Sequence, residues 1–164
     1  MIQVIVDDLA TTSADAVLRP ADASLGPLTP ATSKLDDYAG PRFAEQRRLT
    51  TPLKAGAAVV TGGGSLRAPY VLHVVVRDPD APISRDIVRR ALVSAWQRAA
   101  DWELSTIASP LVGAGTGELS MEEAAGLLAE TFPSQPAGCP RELHIVVEHD
   151  DDRALVEAII RRNA

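Results

Sequence analysis

Short runs of apolar and β-branched residues alternate along this chain with longer stretches in which apolar positions recur every three or four residues. The short runs are Ile2 to Val6, Asp15 to Leu18, Ala57 to Thr61, Tyr70 to Val76, Leu104 to Ala108 and Leu143 to Val147, and their length and composition predict strands. Tyr70 to Val76 is the most continuous and predicts a central strand covered on both faces. Ser84 to Ala100 carries Ile87, Val88, Ala91, Leu92, Ala95 and Trp96 at helical spacing, with arginines on the other face. Met121 to Phe132 and Asp150 to Arg162 also read as helices; the second opens with three acids and ends with two arginines, as a helix dipole prefers. Ser33 to Arg48 reads as a helix bent or split at Pro41. Strands alternating with helices over most of 164 residues predict one α/β domain: a three-layer α/β/α sandwich around a mixed, largely parallel central sheet.

The connections carry the chemistry. Arg19 to Pro30 holds three prolines and one glycine, which predicts a long loop and neither a continuous helix nor a central strand. Gly62-Gly63-Gly64 reads as the tip of a strand-to-strand turn, and Pro133 to Pro140 as a proline-rich connection. Gly113, Gly115 and Gly117 lie between a predicted strand and a helix whose start is marked by a capping box, Ser120 with Glu123. A glycine backbone can aim several N–H groups at one anion, close to the positive end of the helix dipole. In largely parallel sheets, ligands gather beyond the carboxyl ends of strands, where this loop would sit. Asp8, just after the first strand, could face an adenine amino group through a charge-assisted hydrogen bond. His149, after the last strand, could be a flat platform under a base or sugar.

A net charge of −6 disfavours a nucleic-acid polymer as partner but leaves room for a pocket that takes a phosphate through backbone amides. The one cysteine, Cys139, rules out an intrachain disulfide and a cysteine-rich metal site. His144 has no second histidine or cysteine at metal-ligand spacing, and His73, inside the central apolar run, reads as a satisfied core residue. No apolar run approaches membrane-spanning length and the N-terminus lacks signal-peptide features, so a soluble cytoplasmic protein is expected.

Taken in order, these pieces resemble the macrodomains, a family that binds ADP-ribose and in some members hydrolyses ADP-ribose esters or glycosidic links. The resemblance spans nearly the whole chain. It rests on Val4-Ile5-Val6-Asp7-Asp8-Leu9 with Ala14-Asp15-Ala16-Val17-Leu18, on Gly56 to Gly62, on Ala68 to Val75, and on the glycine loop followed by Leu119 to Ala125. It implies that Asp8, with the Leu9 backbone beside it, recognises adenine. It implies that Val112, Gly113, Ala114, Gly115, Thr116 and Gly117 wrap the diphosphate with main-chain donors, and that His149 lies near the adenine platform. No cofactor is implied, since ADP-ribose is ligand or substrate; an ADP-ribosylated protein is a further partner.

Two departures from the family pattern matter. Where the family commonly reads Asn-Ala-Ala-Asn, this chain has Arg19-Pro20-Ala21-Asp22, so an aspartate, which can only accept, replaces the asparagine at the distal ribose. The glycine-rich first ligand loop is replaced by Gly26-Pro27-Leu28-Thr29-Pro30-Ala31, whose prolines lack N–H donors. Three functions are therefore open: a binder of ADP-ribose or a related adenine diphosphate nucleotide; a hydrolase of ADP-ribosyl or O-acetyl-ADP-ribose linkages with Asp22 as general base; and a non-binding macro-like interaction module.

Overall fold

The computed structural model describes residues 1–133 and 138–163. In chain order its elements are β1 (Ile2–Val6), β2 (Ala16–Ala21), α1 (Pro30–Ala39), α2 (Pro41–Gln46), β3 (Ala58–Gly62), β4 (Tyr70–Val75), α3 (Arg85–Asp101), β5 (Thr106–Ser109), α4 (Met121–Thr131), β6 (Glu142–Val147) and α5 (Asp150–Arg162). The strands form one sheet in the order β1-β6-β5-β2-β4-β3. Neighbours run parallel except β3, which returns antiparallel along β4 through the predicted glycine turn.

Alternation along the strands divides the core between two faces. Leu18, Leu72, Val74, Ile107, Leu143 and Ile145 pack with Leu92, Trp96, Leu128 and Val156 of α3, α4 and α5. On the other face Val17, Val71, Ala108 and Val146 meet Leu35 and Ala39 of α1 and Phe43 of α2. The expected three layers are present. The predicted helix over Ser33 to Arg48 is split: Gly40, at φ 87°, ends α1 in the left-handed region and Pro41 opens α2.

One expectation is corrected. β2 continues through Arg19, Pro20 and Ala21, in register with His73, Val74 and Val75 of β4, where the prolines predicted a loop. The Ala21 carbonyl accepts from Val76 N on the β4 side, so the preceding Pro20 nitrogen faces the β5 side. There the ladder has already stopped at Val17 opposite Ala108, and the missing N–H interrupts nothing. The Pro133 to Pro140 connection lies partly outside the described residues, at 134–137. No described helix is long and apolar enough to cross a membrane.

Candidate functional site

The carboxyl ends of the five parallel strands open along one edge of the sheet, and a cleft of about 330 Å³ lies there. Its floor is formed by Leu18, Arg19, Pro20, Val76, Val146 and Val147; one wall is the start of α1, with Thr29, Ala31 and Thr32, and the facing wall is Gly113 to Thr116. Toward β1 and β6 it shares Leu9, Leu35, Pro110 and Glu148 with a second hollow of about 290 Å³ that also contains Asp7, Asp8 and Lys34. The two hollows form one trough from the end of β1 to the ends of β2 and β4.

The glycine loop is held by its own backbone. Gly113 has φ 92°, and a Cβ there would lie 2.7 Å from Leu119 Cδ1, so both conformation and space exclude a side chain. The Gly113 carbonyl accepts from Leu119 N and from Thr116 Oγ1, while Ala114 N donates to Leu111 O and Gly117 N to Ala114 O. The amides of Ala114 and Gly117 are thus occupied within the loop, which corrects the expectation that the whole stretch donates outward. Gly117 does not line the cleft, and Val112 is buried in the core beneath it. The amides of Gly113, Gly115 and Thr116 have no acceptor among the described residues. The Ser120–Glu123 capping box is formed in both directions.

Gly115 is close to the opposite wall: a Cβ on it would lie 3.1 Å from Thr29 Cγ2. Thr29 caps α1, its Oγ1 accepting from Thr32 N at 3.1 Å. Pro30 has no N–H, so of the first helical turn only the Ala31 amide remains without an acceptor among the described residues. The loss of donors expected from the proline-bearing first loop is therefore real but incomplete. Four residues whose main-chain N–H groups have no acceptor among the described residues line this cleft together with the start of α1, whose dipole is positive there, an arrangement suited to an anion.

Asp8, two residues beyond the end of β1, is exposed, with Oδ1 accepting from Ala10 N at 2.8 Å and Oδ2 without a partner among the described residues. It lines the smaller hollow with Leu9. His149 does not join it. That residue is the exposed N-cap of α5 and lines neither hollow, so the expected platform is not built from it. Glu148 and Asp152, on either side of it, line the main cleft instead. Glu148 belongs to the strand-end segment Glu148-His149-Asp150 that the sequence already points to; Asp152 was passed over, although the first turn of a helix after a strand end was the available signal.

Asp22 is also placed elsewhere. Its Oδ1 accepts from Ser24 N at 2.9 Å and Gly26 N at 2.8 Å, and a Cβ on Gly26 would meet Oδ2 at 2.7 Å. The carboxylate closes the turn after β2, as Asp side chains commonly do. It borders a separate depression with Arg77 and Asp78 and is absent from the cleft lining.

Beneath the cleft, between the sheet and α1, lies a polar cluster the sequence did not reveal. Arg19, fully buried, donates from Nε to Asp36 Oδ1 at 2.8 Å and from Nη2 to Asp36 Oδ2 at 2.6 Å. Its Nη1 donates to Leu25 O at 2.9 Å and to His73 Nδ1 at 3.2 Å. Because arginine only donates, His73 Nδ1 must accept; its proton then sits on Nε2, which donates to Thr61 Oγ1 at 2.8 Å, and Thr61 donates to Gly62 O. Burial holds the His73 pKa well below its ordinary value, and the Arg19 and Arg47 charges lower it further. The His73 ring stacks on Phe43, with centroids 5.7 Å apart. His73 is the satisfied core residue expected of it.

The model of the Macro domain family matches residues 22–128. A protein of Aeropyrum pernix is 31% identical over 92% of this chain and 80% of its own length. A macro domain-containing protein of Caldanaerobacter subterraneus is 24% identical over 92% and 90%. Among solved structures, an Oceanobacillus iheyensis macrodomain variant with ADPR superposes with a TM-score of 0.82 at 18% identity, covering 97% of this chain and 91% of that one. The Trypanosoma brucei macrodomain in complex with ADP-ribose gives 0.82 at 21% identity, with 97% and 68% covered.

Proposed function

The chain belongs to the macrodomain family, and from that premise we propose that its trough binds ADP-ribose or a related adenine diphosphate nucleotide. The observation that carries this reading is the set of unpaired amides at Gly113, Gly115, Thr116 and Ala31 on facing walls of one cleft. Such donors, close to a helix N-terminus, suit a pyrophosphate whose charge they balance without a cationic side chain.

The base would lie toward β1, where Asp8 Oδ2 is free to accept from an exocyclic amine and Leu9 and Leu35 offer apolar contact. Structures of relatives with ADPR and with ADP-ribose support the same ligand class. The hydrolytic reading has less support, because the Asp22 carboxylate is engaged by its own turn and stands outside the cleft lining. The trough itself speaks against a purely protein-binding module.

Titration calorimetry of the whole chain with ADP and ADP-ribose tests the proposal. The expected result is saturable binding at micromolar to millimolar ligand. Absence of heat at millimolar concentrations of both overturns it.

A further inference from the structure

Past the unpaired amides, toward β2 and β4, the trough changes character. Its walls there are Leu18, Pro20, Leu28, Val76 and Ile83. The polar side chains near this end are already engaged. Asp22 is bonded to the amides of Ser24 and Gly26. Arg19 is fully buried with its donors on Asp36, Leu25 and His73. The hydroxyls of Thr29 and Thr32 lie 3.0 Å apart, one donating to the other, and Thr29 Oγ1 also accepts from Thr32 N.

A polyhydroxylated sugar entering this compartment would lose water from its hydroxyls and find few side-chain partners among apolar walls, which opposes binding. An alkyl or aryl group would lose nothing by dehydration, and each buried methylene strengthens binding about three- to fourfold. The volume bounds the group's size. A cleft of about 330 Å³ that also houses part of a pyrophosphate has room for only a few carbons.

Resting on the diphosphate-nucleotide reading above, we infer that this cleft prefers an adenine nucleoside diphosphate whose outer phosphate carries a short apolar substituent in place of a sugar. Specificity then resides in Leu28, Val76 and Ile83. The middle of the trough reads the charge, and the far end rejects hydroxyls.

Calorimetry with ADP, ADP-ribose and the β-phosphate butyl ester of ADP tests this. The butyl ester should bind at least threefold more tightly than ADP-ribose; a smaller ratio, or the reverse order, overturns the inference while leaving the diphosphate reading in place. If none of the three binds at millimolar concentration, that reading itself fails and takes the inference with it. Leu28 stands half-buried at the rim, where a polar residue is compatible with the fold. In Leu28→Asn the ratio of butyl-ester to ADP-ribose affinity should fall at least threefold, and an unchanged ratio contradicts the assignment of the apolar wall.

Discussion

Two polar regions lie a few residues apart on the same strand ends, and they differ in whether their hydrogen-bonding groups are satisfied. In the buried cluster Arg19 uses Nε, Nη1 and Nη2 on Asp36, Leu25 and His73, both ring nitrogens of His73 are engaged, and the Thr61 hydroxyl donates to the Gly62 carbonyl. Along the cleft, four amides have no acceptor among the described residues, although the loop is braced by bonds from Ala114, Gly117 and Leu119 and the helices beside it are capped. The Arg19 network, closed except for the buried Arg47 Nε at its edge, fixes α1 to the sheet. An open one, on walls held that firmly, is what a ligand can complete. The two are coupled by construction, since Asp36 and the Ala31 amide belong to the same helix.

Breaking the closed network should have the largest effect. Asp36→Asn leaves the Arg19 guanidinium buried without a counter-charge, and with Arg47 Nη2 also 3.6 Å from that carboxylate the loss should be about 3–5 kcal/mol in urea unfolding. Gly113→Val strikes the frame of the open network. A side chain at φ 92° that meets Leu119 at 2.7 Å should cost about 1–3 kcal/mol and weaken nucleotide binding as well.

The closed network also predicts a pH dependence. His73 is held neutral in the folded chain, its pKa depressed, whereas in the unfolded chain it titrates near 6.5. The unfolded state therefore binds more protons below about pH 6.5, and stability is lost as pH falls through that value, by up to about 1.4 kcal/mol per pH unit. His73→Gln, whose amide can accept from Arg19 and donate to Thr61, should flatten the curve between pH 7 and 5; an unaltered slope in thermal melts would assign it to other groups. The smallest effect on stability is expected in the open network. Gly115→Glu puts a Cβ 3.1 Å from Thr29 Cγ2, which that side chain must yield to, and should cost no more than about 1 kcal/mol of stability, yet weaken ADP-ribose at least tenfold, about 1.4 kcal/mol of binding. Equal binding by variant and wild type would remove the diphosphate from this loop.

The sequence made the open region far more legible than the closed one. Glycines at alternate positions between an apolar run and a capping box announce a strand-to-helix turn by local chemistry alone, and the layers follow from periodicity. Which amides stay free did not follow, because that depends on Ala114 and Gly117 closing bonds inside the loop. The partners of Arg19 lie 17 and 54 residues away at Asp36 and His73, beyond any local pattern, and Pro20 disguised the strand that buries it. Asp22 looked like a cleft residue because the family pattern aligns it there. Its carboxylate turns back onto Ser24 and Gly26, the turn-capping role that an aspartate in a turn also allows.

The most direct test follows the backbone amides themselves by ¹H–¹⁵N spectroscopy while ADP-ribose or ADP is added. The account predicts that the resonances of Gly113, Gly115, Thr116 and Ala31 move downfield together and saturate, with smaller shifts at Ala114 and Gly117. Uniformly small changes at millimolar ligand, or shifts centred on Ala114 and Gly117 while the other four stay in place, would contradict it.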